Sequence, residues 1–312
     1  MDLQHISASS IDTFDICNYS YKLRYVYGLK GFPNMGSEKG TVCHTVFEKY
    51  ARCCMDDEYD AFDVDGCLER EFDKHFETVD LEYDREEEIE DCRKMIHKVL
   101  DKKNNVFQHK ILGVEQTVDL VLKSDGELIY EGYSKDFGDE NGKIDKTVDI
   151  CDVFGRYVFR LYGFIDLIVE IDEDTIEVVD WKSGKSSKTF EALRKDTQAM
   201  LYALAVRYLY PTYDNYIVTF NYLRRKPITL SFSESEMISI TNKLYSRWRK
   251  IKSCNDPKRT IRGHNAKWKC RFCAFNGGKE DCDIFFMLDS LGKPLDKAIQ
   301  YAKMGRTLED LA

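Results

Sequence analysis

Apolar residues in the first third of the chain recur with a helical period: Val42, Val46 and Tyr50, then Phe62, Cys67, Leu68, Phe72 and Phe76, then Ile89, Cys92, Ile96 and Val99. These stripes predict helices from Ser37 to about Val106, the last two with acidic outer faces. The period then changes to two. Leu112, Val114, Val118, Leu120 and Leu122 share one face of a strand, and Leu161, Ile165, Leu167, Val169 and Ile171 share one face of another. Predicted strands run from Leu112 to Lys123, Glu127 to Tyr133, Tyr157 to Ile171 and Thr175 to Lys182. A helix from Thr189 to Tyr210 follows, then strands Tyr216 to Leu223 and Ile228 to Phe232, and a helix opened by the capping box Ser233-x-x-Glu236. A helix is also expected from Ser9 to Tyr27, a surface loop from Gly138 to Asp149, and a helical tail from Leu295 to Met304. Strands bracketed by helices imply an α/β fold with a central sheet.

Chemistry first surfaces in Gly163-Phe164-Ile165-Asp166, with Asp180-Trp181-Lys182 fourteen residues on. Tyr162, Phe164, Asp166 and Ile168 share a face, as do Ile176, Val178, Asp180 and Lys182. If Asp172-Glu173-Asp174 is a three-residue loop, Ile171 pairs with Thr175 and Asp166 falls opposite Asp180, with Cβ atoms ~5 Å apart. Carboxylates that close repel unless a cation lies between them, and oxygen donors of this kind favour Mg²⁺ or Mn²⁺ over Zn²⁺. Such a cation, with Lys182 beside it, is the equipment for phosphodiester hydrolysis.

Further residues add to this. His44 lies off the Val42/Val46/Tyr50 stripe, one turn before Glu48. Glu115 faces away from the apolar side of its strand, and Gln198 and Tyr202 sit one turn apart on the helix after Lys182. Cys270-x₂-Cys273-x₈-Cys282, with Cys17 far upstream, has the spacing of a metal or cluster site rather than of packed core.

In this order, Cys17, His44, Glu115, Asp166, Asp180-x-Lys182, Gln198, Tyr202 and the clustered cysteines, the chain resembles the RecB-like branch of the PD-(D/E)XK nuclease superfamily. It is most similar to the iron-sulfur members: the CRISPR-associated Cas-four-type exonucleases, the AddB nuclease domain and their phage relatives. The resemblance implies a restriction-endonuclease-like mixed sheet flanked by helices. His44, Asp166 and Asp180 would be metal ligands and Lys182 the catalytic lysine, with Gln198, Tyr202 and Glu115 completing the catalytic set. Cys17, Cys270, Cys273 and Cys282 would hold a [4Fe-4S] cluster, for which structural Zn²⁺ is the alternative. Bridging Cys17 to the region after Cys270 closes a loop of about 250 residues, worth on the order of 5 kcal/mol by the chain-entropy estimate for cross-links. The implied organisation is one domain over 1–312: a helical insertion at 37–108, the nuclease sheet at 110–232, and a cluster region formed by 1–30 and 254–288. The activity so implied is exonucleolytic, on single-stranded DNA or DNA ends, with a helicase, recombinase or integrase as a conceivable partner. A structure-specific endonuclease and a catalytically silent DNA-end-binding subunit are the alternatives.

Composition refines this picture. Net charge is −9, yet base concentrates between Arg247 and Arg271, where Arg249, Lys250 and Lys267 interleave with Trp248 and Trp268. Such a stretch could follow a phosphate backbone and stack bases; a solvated helix end is the plain alternative. Arg224-Arg225-Lys226 reads as a turn. Eleven cysteines without a leader or bilayer-length apolar run point to a reducing compartment, the cytoplasm, or the host's if the gene is a phage's. Cys43, Cys53, Cys54, Cys67, Cys92, Cys151 and Cys254 read as small apolar fillers.

Overall fold

A computed structural model describes residues 5–56, 61–131 and 157–254, with 270, 273–275, 288–289 and 291–292 beyond these. Two compact units are distinguished, one built from 9–33 with 250–312, the other from 3–8 with 34–249. The expected tail helix, the loop at 138–149, Cys151, Cys282, Lys267 and Trp268 lie outside the described residues.

The larger unit is a six-stranded sheet with order β2-β1-β3-β4-β5-β6. Its strands are β1 (Lys110–Lys123), β2 (Leu128–Glu131), β3 (Val158–Asp172), β4 (Thr175–Lys182), β5 (Asn215–Tyr222) and β6 (Ile228–Ser231). Neighbours run antiparallel except β4 and β5, which are parallel and joined through helices α6 (Phe190–Leu193) and α7 (Thr197–Leu209). This is the mixed α/β sheet flanked by helices that the period changes predict.

Helices α3 (Met35–Met55), α4 (Val64–Phe76) and α5 (Arg85–Leu100) each start on a side-chain cap, from Asn34, Asp63 and Asp84. Their apolar stripes join Leu167, Val169, Val179 and Trp181 of the sheet in one core, where Phe47 stacks on Trp181 at 4.4 Å. The helical segment thus forms one wall of the sheet's own core. Asp91 of α5 binds Arg224 through both guanidinium nitrogens and also Lys39 of α3, so the basic turn between β5 and β6 is an internal tie.

Three expectations change. The β3–β4 turn is tighter than a three-residue loop: Asp172 pairs with Thr175, and a bulge before it absorbs Ile171. Because the bulge offsets the shorter turn, Leu167 still pairs with Val179, and the count toward Asp166 and Asp180 is preserved. The helix expected from Thr189 breaks before Asp196, which caps α7 by accepting from Gln198 N–H at 2.9 Å. Trp248 on α8 (Glu234–Lys252) is 1% exposed and belongs to the core rather than to a base-stacking surface.

In the smaller unit the first expected helix is divided into α1 (Ala8–Ile16), α2 (Asn18–Tyr21) and a π-helical turn over Lys22–Val26. Cys17 is the extended residue at the first break. A Cβ on Gly31 would lie 2.5 Å from the Ala274 side chain and 2.6 Å from its carbonyl oxygen, so this position must be glycine. Phe32 N–H donates to Ala274 O at 2.6 Å, tying the residue after Cys273 to the N-terminal segment.

Candidate active site

Strands β1, β3 and β4 and helices α3 and α7 converge where Asp166 and Asp180 leave the β3–β4 ladder. Asp166 Oδ2 accepts the backbone N–H of Trp181 at 2.9 Å, so a side chain takes over the hydrogen bonding there. On the other side of Asp166, β1 pairs Val114 with Leu167 and Gln116 with Ile165, leaving Glu115 and Asp166 as the intervening residues. Glu115 has φ +48°, a left-handed backbone that a glutamate adopts at a cost of about 1–3 kcal/mol. Strain of this kind persists where neighbouring structure imposes it.

The result is a trio: ligand atoms of His44, Glu115 and Asp166 all lie within 4.8 Å of one another. Burial, then the charge of Asp166, pushes the Glu115 carboxyl up to about 7. Burial likewise lifts Asp166 to about 6, with the His44 ring pulling it back and Asp180 adding to the rise. His44 supplies the sharpest argument for a cation. Its Nε2 lies 2.9 Å from the Trp181 carbonyl oxygen, which can only accept, so Nε2 must carry the proton. In the neutral ring Nδ1 then presents a lone pair to Asp166 Oδ2, 3.3 Å away and itself an acceptor. Two acceptors face one another, an arrangement relieved by a second ring proton or by a cation between them.

Asp180 is 1% exposed and is held differently. Its Oδ1 accepts from Gln198 Nε2 at 2.8 Å and from the Tyr202 hydroxyl at 2.9 Å, while Gln198 Nε2 also reaches the Tyr202 oxygen at 2.7 Å. Its buried Oδ2 receives no directed hydrogen bond; Lys182 Nζ lies 2.6 Å away as an ion pair. Lys182 also donates to Gln198 Oε1 at 2.8 Å. Burial, with the Asp180 charge behind it, raises the Tyr202 hydroxyl well above its ordinary value, so it remains a proton donor to Asp180.

The structure therefore brings together His44, Glu115 and Asp166 as one group and Asp180, Lys182, Gln198 and Tyr202 as a second around the same ladder end. Glu115 joins His44 and Asp166 in the tightest donor group, a place the residue pattern assigned to Asp180. The strand's alternation gave Glu115 a side but not its φ, and no residue type announces the Trp181 carbonyl that fixes His44. Of the other expected residues, Arg249 stacks over the Tyr245 ring at 6.0 Å and Lys250 pairs with Asp15 at 3.1 Å. Cys17, Cys270 and Cys273 all fall in the smaller unit, where Cys273 N–H donates to Cys270 O at 3.0 Å.

The donor set fits a hard divalent cation. Two carboxylates and one imidazole lie close enough to share one ion, burial raises both of those acids, and the neighbouring Asp180 Oδ2 is a buried acceptor with no directed hydrogen bond, facing only the Lys182 ammonium. A family profile for the PD-(D/E)XK nuclease superfamily matches residues 5–277. The chain belongs to the PD-(D/E)XK nuclease superfamily. A crystal structure of a provisionally assigned exonuclease from Eubacterium rectale is similar at 10% identity, with a TM-score of 0.48, covering 85% of this chain and 88% of that one. No curated protein matches.

Proposed function

We propose that the protein is a Mg²⁺- or Mn²⁺-dependent deoxyribonuclease that degrades single-stranded DNA or DNA from its ends. The observation that carries this is the pairing of a close trio of ligand-bearing side chains, His44, Glu115 and Asp166, with a lysine-bearing strand end, Asp180 to Lys182. His44, Glu115, Asp166 and Asp180 would hold the cation, which when bound supplies Lewis acidity toward the phosphate. The protein's own groups do the rest. Gln198 and Tyr202 fix the Asp180 carboxylate, and Gln198 and Asp180 together aim the Lys182 ammonium, leaving it positioned to orient the attacking water and to offset charge on the phosphate in the transition state. A lone Asp180–Lys182 ion pair would need neither Gln198 nor Tyr202.

The smaller unit is read as the seat of a [4Fe-4S] cluster on Cys17, Cys270, Cys273 and Cys282. Support comes from the grouping of 9–33 with 250–312 and from the glycine-limited contact of Gly31 with Ala274. Structural Zn²⁺ is the competing occupant. A cytoplasmic enzyme working beside a helicase, recombinase or integrase suits this reading.

The test is incubation of end-labelled single- and double-stranded DNA with Mg²⁺ or Mn²⁺, comparing the parent with Asp180→Ala and Lys182→Ala. Cleavage by the parent, reduced about 10²–10³-fold in each variant, supports the proposal. Equal product from all three exposes a contaminant, and binding without cleavage by the parent favours a silent end-binding subunit. Closed circular single strands separate exonuclease from endonuclease, since only the latter cuts them.

A further inference from the structure

Phe164 lies two residues before Asp166 on β3, so strand alternation turns both side chains to the same face. It is 49% exposed, whereas Ile165, Leu167, Ile168 and Val169 just beyond it are at most 1% exposed. A large aromatic ring is thus left open to solvent two residues from Asp166. It continues a row of rings. Tyr162 meets Phe164 edge-on at 5.7 Å, and His5 lies 5.0 Å from Tyr162. The row has a rigid footing: the Arg160 guanidinium, 5.7 Å from the Tyr162 ring, is locked to Asp119 by paired hydrogen bonds of 2.6 Å in a buried ion pair.

We propose that Phe164 is a substrate-positioning residue whose exposed ring stacks on an unpaired nucleobase next to the phosphodiester presented to the acids. The idea rests on the nuclease reading and adds a reason for strand preference. Every base has a π-face, so one exposed ring serves any sequence. Inside a duplex both faces of a base are covered by its neighbours; a single strand or a duplex end can offer one to Phe164. The acids, lacking a cation, repel phosphate, so an apolar hold on the base is a contact that this part of the site can make without metal.

Binding in EDTA tests this apart from cleavage. The full-length protein and its Phe164→Ala, Phe164→Leu and Phe164→Trp variants are titrated with a thymidine oligonucleotide carrying 2-aminopurine, and with an abasic tract of equal length. Expected are a change in 2-aminopurine fluorescence with the parent, affinity weakened about tenfold in Phe164→Ala and retained in Phe164→Trp, and no parent-to-alanine difference on the abasic tract. Phe164→Leu, which keeps apolar bulk without a π-face, should fall with the alanine variant, and melting temperatures should be unchanged. Equal affinity of parent and Phe164→Ala for the oligonucleotide, or an equal loss on abasic DNA, overturns the proposal. Parent cleavage with no stacking sinks this inference alone; stacking without Mg²⁺- or Mn²⁺-dependent cleavage sinks the nuclease reading and, with it, the positioning role, leaving only base binding by Phe164.

Discussion

A neutral imidazole has one proton to donate, and His44 directs it at the Trp181 carbonyl, which leaves Nδ1 and Asp166 Oδ2 as two acceptors in search of a cation. Burial acts on the two carboxyls beside it. Glu115 is raised to about 7 and Asp166 to about 6, so between about pH 4 and pH 7 the folded protein holds more protons than the unfolded chain. Their contribution to stability is therefore present at low pH and lost as pH rises through the folded values. Two outcomes follow. Mn²⁺ binding near pH 6 should expel protons, measured calorimetrically in buffers of different ionisation enthalpy, and the effect should vanish by pH 8. Glu115→Gln, which removes an ionisation that burial opposes, should raise the melting temperature of metal-free protein at pH 8 and leave it nearly unchanged at pH 4. A metal-free Glu115→Gln protein less stable than the parent at pH 8 would argue against this account of Glu115.

At the scale of elements, α7 serves β4. Tyr202→Phe deletes one of two donors to Asp180 Oδ1 in a buried setting, and should lower stability by about 1–2 kcal/mol and activity about tenfold. The α3–α5 wall depends on Asp91 in the same way: Asp91→Ala leaves Lys39 with Glu88 alone and Arg224 with only the Ser183 carbonyl, and should destabilise by about 2 kcal/mol, seen as a lower urea midpoint with unchanged slope. The residues showed much of this in advance. Apolar runs and a period of two located every strand of the sheet, because β3 and β4 bury long stretches of apolar residues. Asp166 and Asp180 kept their relative count even though the turn differs, since the bulge at Ile171 and the shorter Asp172–Thr175 closure cancel. The break before Asp196 and the left-handed Glu115 left no mark, because capping and φ are decided by neighbours that apolar patterning does not encode. Trp248 misled for a related reason: basic neighbours suggested surface, but its own helix phase places it in the core.

For the molecule as a whole, a sequence far from neutral on the acidic side still yields a nucleic-acid enzyme if the acids are divided between a solvated helical wall and a site that a dication neutralises. Among the described residues no helix is long and apolar enough to cross a membrane. The smaller unit carries its own prediction. Anaerobically purified protein should be brown with broad visible absorption, and Cys17→Ala should lose the colour together with stability; colourless protein with stoichiometric zinc would replace the cluster by a Cys₄ zinc site. The most direct trial of the central claim is the free-Mn²⁺ signal in electron paramagnetic resonance, titrated against the parent and against Asp166→Asn. Tight uptake by the parent at pH 7.5, lost in Asp166→Asn, is the predicted result; the same uptake by both would contradict a cation held at this site.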